Sequence, residues 1–311
     1  MANSARLEIH VLNVGQGDSI LIINRDLGRL RANLVTAAGA GAVPVDDYDL
    51  MPFATARYPA ELKGTVVKAL LIDGGERTYA DDVLNALYTN GVAEPNTPYC
   101  PLLTVLITHY HSDHIAGVLN VFEKKNDQRK YEARHRPATL YYPSYDGKSD
   151  PTSLGFQRLK RHITDFQTKG TWCHQLFPGG RNIANQTVTI DLGPGVTNIP
   201  IVMRVIAANG RVHMPHNSIL ANGSVVNDPR GQDCGTDYAV ANPAVAAAMP
   251  KDLNDRSVVG VLEYGSFLVL LTGDAAGIGT TAGGNPDGEA LSSPSSHGDI
   301  EQLYVPALKT F

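Results

Sequence analysis

Residues 103–118 read LTVLITHYHSDHIAGV, and this stretch decides how the rest of the chain is interpreted. An apolar, β-type run over residues 102–107 leads directly into it. Four metal-type side chains follow within six residues: His109, His111, Asp113 and His114. Imidazole and carboxylate are the groups that hold zinc and similar divalent metals. In an extended segment, His109, His111 and Asp113 would share one face, because side chains alternate along a strand.

A polar loop that caps a helix is the alternative explanation for this cluster. Asp is a preferred N-cap residue, so Asp113 is expected to cap a helix that begins near His114. Capping needs one such residue, however, and not four potential ligands in six positions. The spacing therefore favours a metal site.

The run His109-Tyr110-His111-Ser112-Asp113-His114 matches the HxHxDH signature, and the chain therefore resembles the metallo-β-lactamase superfamily. The resemblance implies an α/β (α+β) fold, a four-layer αββα sandwich of two mixed β-sheets flanked by helices, with the metals in a groove at one edge. It implies that His109 and His111 hold one ion and that Asp113 and His114 hold a second. In family members this Asp also orients the nucleophilic water.

Two further motifs extend the resemblance towards both ends of the chain. Residues 12–22, LNVGQGDSILI, are similar to the opening hairpin of the metallo-β-lactamase-like domain of ComEC-type DNA-uptake proteins, in which Asp18 would lie near the metals. Without the resemblance, Gly-Gln-Gly-Asp indicates only a turn between two strands. Downstream, Gly273-Asp274 follows the apolar strand FLVLL, and the resemblance implies that Asp274 bridges the two ions.

Residues 71–75, LIDGG, resemble another element of the family, and the resemblance implies that Asp73 is a turn residue or supports the ligands. A structural role for Asp73, bonding loop amides, is the favoured interpretation. The segment NDRSVV at residues 254–259 resembles the place where ComEC-like domains replace the usual third histidine.

Two histidines that complete the centre in typical superfamily members are not found in recognisable motifs. His213 and His216 are candidates for the third ligand of the first site, but surface histidines explain them better. A late histidine of the second site is missing, since only His297 lies near, in the loop-like setting SSPSSHG. The tail is therefore interpreted as a truncated end of the domain, and full two-metal activity is in question.

The chain is expected to form a single domain over residues 1–311, with insertions at about 25–64 and 222–253. The first insertion is rich in Ala, Gly, Pro and Asp, and it is left open as a lid, a partner surface or a mobile excursion. Patterning predicts strands at 6–13, 19–23, 66–73, 102–107, 139–142, 187–191, 201–208 and 267–271, and helices at 78–90, 115–122 and 154–168.

Composition indicates a globular protein without a global attraction to nucleic acid. The 311 residues are 43% hydrophobic and 18% charged, with a net charge of −5. Basic residues cluster over 124–136 and 158–169, where a solvated face is the default and a phosphodiester-binding patch beside the metals is the alternative. Three scattered cysteines indicate ordinary reduced thiols. No signal peptide or membrane segment is recognised, so a cytoplasmic location is expected.

The resemblance implies a hydrolase that uses a metal-activated hydroxide, with two divalent ions, expected to be Zn with Mn or Fe as alternatives. The ComEC-like motifs favour phosphodiester or nucleic-acid substrates. A lactone, thioester or β-lactam hydrolase would use the same centre. A degenerate member that binds metal or a partner without turnover is the non-enzymatic alternative, and the oligomeric state is left open.

Overall fold

A computed structural model of the chain describes residues 5–15, 17–125, 128, 130–143, 153–176, 189–208, 211–214, 232–234 and 257–274. Several sequence-based interpretations lie outside these residues. They are His216, His297, residues 254–256, most of the segment 222–253 and the tail beyond Asp274. For His213 the structure describes the backbone and not the side chain.

The described residues form strands and helices that are numbered here in chain order. The strands are β1 (Ala5–Val11), β2 (Ile20–Asp26), β3 (Val66–Ile72), β4 (Tyr99–Leu106), β5 (Glu123–Lys125), β6 (Tyr131–Ala133), β7 (Arg136–Pro143), β8 (Trp172–Leu176), β9 (Thr189–Pro194), β10 (Pro200–Ala208), β11 (Arg211–Met214), β12 (Gln232–Cys234), β13 (Val259–Tyr264) and β14 (Phe267–Leu271). The helices are α1 (Leu27–Ala38), α2 (Asp47–Arg57), α3 (Ala80–Thr89), α4 (Ser112–Phe122) and α5 (Leu154–Thr168).

Six strands form the first sheet, in the order β1-β2-β3-β4-β7-β8. β1, β2 and β3 pair antiparallel, whereas β3, β4, β7 and β8 pair parallel. Parallel neighbours need crossover connections, and α3, α4 and α5 lie in the three connections between them. Because Ile72 pairs with Leu106, β3 and β4 end side by side at one edge of the sheet. The two loops that leave this edge carry Asp73 and the histidine cluster.

The second sheet lies against the first and contains β12-β11-β10-β13-β14, with β9 paired to β10. Every described pairing in it is antiparallel, which differs from the expectation that both sheets are mixed. Apolar side chains from both sheets interdigitate between them, including Ile22, Leu70 and Leu106 from the first sheet and Met203 and Leu262 from the second. This inter-sheet core holds the end of β14 close to the end of β4.

Helices α3, α4 and α5 cover the outer face of the first sheet. Their apolar residues form one buried cluster with the outward-facing residues of β3, β4 and β7. The backbone of α4 lies directly on the loop after β3, since a side chain at Gly117 would meet the carbonyl of Gly74. This close approach holds the helix that carries His114 against the loop that carries Asp73.

Residues 27–62, within the expected first insertion, fold into α1, α2 and short 3-10 turns between β2 and β3. They bury an apolar cluster of their own, which includes Leu30, Leu34 and Leu50. The fully buried Arg25 joins this part to the sheet, since its guanidinium donates to the carboxylate of Glu8, to the carbonyl of Leu62 and to the Thr65 hydroxyl. The single-domain assignment over the whole chain stays a prediction.

The structure confirms most of the predicted elements and shifts some of their ends. The predicted helix at 154–168 is α5, and the predicted strand at 267–271 is β14. The second strand extends to Asp26, so it enters the expected insertion. The helix predicted at 115–122 begins three residues earlier, at Ser112.

Candidate metal centre

The ligand loop, residues 107–111, connects the end of β4 to α4. It places His109 in the protein interior and His111 at the N-cap position of α4, and the first turn of the helix buries His114. The prediction that Asp113 caps a helix beginning near His114 is wrong, because α4 begins at Ser112 and Asp113 lies within its first turn. The shared extended face of His109, His111 and Asp113 is wrong for the same reason.

The three imidazoles of the ligand loop and α4 nevertheless converge. The ring centroids of His109 and His111 are 4.9 Å apart, and those of His109 and His114 are 4.0 Å apart. A helical turn after an extended loop therefore gathers side chains that sequence reasoning had placed along a strand. The predicted histidines meet, although by a different backbone path.

Asp73 holds His114 in one orientation. It lies fully buried after β3 with a positive φ of 52°, and its Oδ2 is 2.9 Å from Nδ1 of His114. Its Oδ1 accepts from the Thr108 amide at 2.8 Å, and its Oδ2 also accepts from the Thr108 hydroxyl. Because both oxygens have donors, Asp73 supports the ligand loop, as the sequence interpretation favoured. The Nδ1–H tautomer of His114 leaves its Nε2 directed at the centre.

His109 is oriented by two hydroxyl groups. Its Nδ1 lies 3.1 Å from the Thr108 Oγ1 and 3.3 Å from the Ser257 Oγ. The single hydroxyl proton of Thr108 goes to Asp73, so the Thr108 oxygen accepts from the Nδ1–H of His109. The lone pair of Nε2 is then free to bind a metal. Ser257 lies two residues before β13 of the second sheet, and its contact with His109 joins the two sheets at the centre.

Asp274 approaches the histidines from the end of β14. Its Oδ2 lies 3.2 Å from Nε2 of His114 and 3.6 Å from Nε2 of His109. Gly273 precedes it with a φ of 52°, and a Cβ at this position would press on the Thr108 side chain at 3.0 Å. A glycine is therefore needed for the backbone to bring Asp274 to the centre.

Two sets of three residues could each hold an ion, because the possible ligand atoms within each set lie within 4.8 Å of one another. The first set is Asp73, His109 and His114, and the second is His109, His111 and Asp274. The Asp73 group is better explained as a hydrogen-bond network, because the Asp73 oxygens are already engaged by Thr108 and His114. The His109, His111 and Asp274 group presents free ligand atoms. It is the stronger candidate for an ion.

Asp113 belongs to neither of these two groups among the described residues. Its backbone carbonyl faces Gly17 of the opening hairpin, where a Cβ would collide with it. Its half-exposed carboxylate lies in the first turn of α4, and its charge acts on Asp18. The structure therefore brings Asp113 to the rim of the centre, beside Asp18.

Burial and neighbouring charges set opposite proton affinities for the two buried histidines. Burial lowers the pKa of His109 to about 3, and the positive charge of His114 acts in the same direction. Burial also opposes protonation of His114, but the contacts with Asp274 and Asp73 outweigh it and raise its pKa to about 10. Burial resists ionisation of Asp274 too, yet the contact with His114 and the charges of the histidines hold its pKa below the ordinary value.

The residues of this centre fit a divalent metal ion. Nε2 of His109 and Nε2 of His114 are fully buried, and neither has a hydrogen-bond partner among the described residues, although Asp274 lies close to both. A buried ring nitrogen without a partner is costly unless it binds a proton acceptor or an ion. Imidazole and carboxylate are suitable ligands for zinc, manganese or iron.

Thr108 and Ser257 are site residues that sequence reasoning did not assign. Each contacts Nδ1 of His109, and Thr108 also contacts Asp73. Thr108 stands beside the first ligand of the motif, so its position was a usable signal. Ser257 lies 148 residues from His109 in sequence. The resemblance of NDRSVV to the place of the third histidine was a usable signal for it, although no role was given to Ser257 itself.

A cavity of about 150 Å³ opens between the sheets next to the centre. Its walls are mostly apolar, with Ile20, Ile72, Met203 and Leu271 among them. Polar groups line it as well: Asp18, Thr108 and Thr272. The space therefore adjoins the ligand loop on the inter-sheet side.

The described basic residues of the clusters at 124–136 and 158–169 lie away from the ligand loop. β5 and β6 follow the C-terminal end of α4, and this 11-residue helix separates its two ends by about 16 Å. Several cations there already have partners: Arg158 pairs with Glu123, and Lys169 pairs with Asp165. This position does not agree with a basic patch directly beside the metals.

None of the described helices combines the length and apolar character needed to span a membrane. The described residues form a mixed α/β protein with two packed sheets. At one edge of the sheets, three histidines and an aspartate lie together as a candidate metal site. A sequence model of the metallo-beta-lactamase superfamily matches residues 66–196, a range that contains Asp73 and the whole HxHxDH motif. The match confirms the resemblance to this superfamily, and the large mixed sheet flanked by helices agrees with its fold. No curated protein matches the chain.

Proposed function

We propose that the protein is a metal-dependent hydrolase. The observation that carries the proposal is a pair of fully buried Nε2 atoms, on His109 and His114, that lack hydrogen-bond partners in the described structure. Oδ2 of Asp274 lies 3.6 Å from the first and 3.2 Å from the second. Most members of the superfamily that matches residues 66–196 are hydrolases, which supports the same conclusion.

The proposed ligands are the side chains that the HxHxDH motif and the Gly-Asp segment supply. His109 and His111 would hold one ion, Asp113 and His114 a second, and Asp274 would contact both. Zinc is the proposed metal, with manganese or iron as alternatives, because imidazole and carboxylate accept all three. Asp113 and Asp274 are the proposed catalytic residues.

Bound divalent ions supply Lewis-acid activation of water and of the substrate oxygen. The chain's own residues prepare the site for that chemistry. Asp73 and Thr108 fix the ring orientations of His114 and His109 through their Nδ1 atoms. Asp113, in the first turn of α4, would accept a proton from a water molecule and orient it.

Phosphodiester or nucleic-acid substrates are the first proposal, because residues 12–22 resemble the ComEC-type opening hairpin. The fold brings Asp18 of this hairpin to the cavity beside the centre. The basic residues near β5 and β6 add no support, since they lie at the other end of α4.

Lactone, thioester or β-lactam hydrolysis is the second proposal, and the cavity favours it. Its largely apolar wall, with Ile20, Ile72 and Met203, suits an uncharged acyl chain better than a phosphate. Both substrate classes would use the same metal ligands, so the choice rests on the pocket.

The test compares turnover of bis(p-nitrophenyl) phosphate, a p-nitrophenyl ester, a lactone, a thioester and a β-lactam in protein loaded with zinc or manganese. His111→Ala and Asp274→Ala are expected to lower turnover of the preferred class by at least 100-fold. His10→Ala, on β1, is the histidine control and is expected to keep wild-type activity. Equal turnover in all four proteins would overturn the proposal. Metal binding without turnover would instead favour a non-catalytic metal- or partner-binding protein.

A further inference from the structure

The turn between β1 and β2 packs against the ligand loop and carries a carboxylate, Asp18. A side chain at Gly17 would collide with the backbone carbonyl of Asp113, so the two segments are in direct contact. The Asp18 carbonyl accepts a hydrogen bond from the Gly75 amide at 3.0 Å, and the Ser19 hydroxyl donates to the Asp73 carbonyl at 3.3 Å. These contacts hold the Asp18 backbone on the same loop that orients His114.

The Asp18 side chain lines the cavity that adjoins the centre. Thr108 and Gly273, which precede His109 and Asp274 in sequence, line the same cavity. A carboxylate at this place lies on the side of the centre from which Asp274 approaches the histidines, and two neighbouring carboxylates favour a bound cation.

No described residue donates a hydrogen bond to the carboxylate of Asp18, which is partly buried. A second observation points to a ligand in the same region. Nε2 of the fully buried His114 has no hydrogen-bond partner in the described structure and lies 3.2 Å from Oδ2 of Asp274. A divalent ion would satisfy both groups at once.

We propose that Asp18 is a ligand of the second metal site, together with Asp113, His114 and Asp274. It takes the place of the late histidine that the sequence lacks in a recognisable motif. The inference rests on the proposed function for the presence of metal, and it adds a ligand that neither the HxHxDH motif nor the Gly-Asp segment supplies. With Asp18, the proposed second site has four protein ligands.

Zinc binding tests this proposal without any measurement of activity. The full-length protein is stripped with chelator, dialysed against zinc and analysed for bound metal by mass spectrometry, and the dissociation constants are measured by competition with a chromophoric chelator. Asp18→Asn keeps the size of the side chain but weakens it as a ligand. Asp82→Asn, an exposed aspartate on α3, is the matched control.

Wild type and Asp82→Asn are expected to bind two zinc ions, and Asp18→Asn is expected to keep one and to bind the other at least ~10-fold more weakly. Unfolding of the metal-free proteins, followed by circular dichroism, is expected to be the same for all three. Two unchanged zinc ions in Asp18→Asn, or the loss of both with unchanged metal-free stability, would overturn the inference. Two zinc ions in wild type without hydrolysis of any substrate class would overturn the proposed function and leave the role of Asp18 intact.

Discussion

The hydrogen bond between His114 and Asp73 sets the direction in which a buried ligand points. Asp73→Asn is expected to weaken zinc binding ~10- to 100-fold, because an amide NH₂ would face either the Thr108 donors or the Nδ1–H of His114. Competition with a chromophoric chelator measures the change. Asp82→Asn on the exposed face of α3 is the control, and equal affinities in the two variants would show that Asp73 does not orient His114.

Residues near the centre were predictable where a local motif contains them. The HxHxDH motif names His109, His111 and His114, and the Gly-Asp segment names Asp274. Ser257 contacts His109 because β13 pairs with β10 and the second sheet packs on the first. Its segment NDRSVV resembles the place of the third histidine, but the pattern does not say which of its residues reaches His109.

The contact between α4 and the loop after β3 is the element on which the ligand positions depend. Gly117→Ala is expected to lower the free energy of unfolding by about 1–3 kcal/mol, because the new methyl group would meet the Gly74 carbonyl, which is backbone and cannot rotate away. Denaturant unfolding of the metal-free protein measures this. Zinc affinity is expected to fall as well, since α4 carries His114.

Gly155→Ala in α5 is the matched control for Gly117→Ala. Its nearest neighbours would be the flexible ends of Ile115 and Leu119, at 3.5 Å and 3.8 Å, which is ordinary contact. Alanine is also the better helix former by about 1 kcal/mol. Gly155→Ala is therefore expected to leave stability unchanged or to raise it. An equal loss in both variants would contradict the close approach of Gly74 and Gly117.

Elements with strong periodicity were predictable, and their ends were less so. β3, β4 and α5 follow from apolar patterns that the core requires. The start of α4 was predicted at residue 115, after Asp113, because Asp is a good capping residue. In the structure His111 is the N-cap, and the helix begins at Ser112. The helices within residues 27–62 have weak patterns, and they bury a small cluster of their own.

At the scale of the whole molecule, the centre lies where the two sheets meet. The segment after β4 and the helix α4 carry the histidines, and the segment after β14 carries Asp274, so a bound ion would tie the sheets together. Zinc at about 100 times its dissociation constant is expected to stabilise the wild type by about 2.7 kcal/mol per site. Asp274→Ala is expected to lose most of that gain.

Chemical unfolding with zinc and with excess chelator measures this coupling. The Asp274→Ala protein should unfold at nearly the same denaturant concentration under both conditions, whereas the wild type should show a clear difference between them. His10→Ala, which alters β1 outside the centre, should keep the full zinc effect. A zinc effect of wild-type size in Asp274→Ala would show that the second sheet does not contribute to the site.

The buried ion pair of Arg25 and Glu8 predicts how the stability of the whole molecule depends on pH. Burial disfavours ionised Glu8, but the hydrogen bonds from His10 and Arg25 outweigh it and hold its pKa below the ordinary value. A carboxyl whose pKa is lowered by folding stabilises the protein above its unfolded pKa, and the contribution is lost as the pH falls through the folded pKa. Glu8→Gln is therefore expected to cost about 3 kcal/mol near neutral pH, because it leaves the fully buried Arg25 without its counter-charge. Denaturant unfolding from about pH 7 down to about pH 3 should show the two proteins converging on the acid side. A gap that stays constant over this range would show that the stability comes from packing and not from the charge of Glu8.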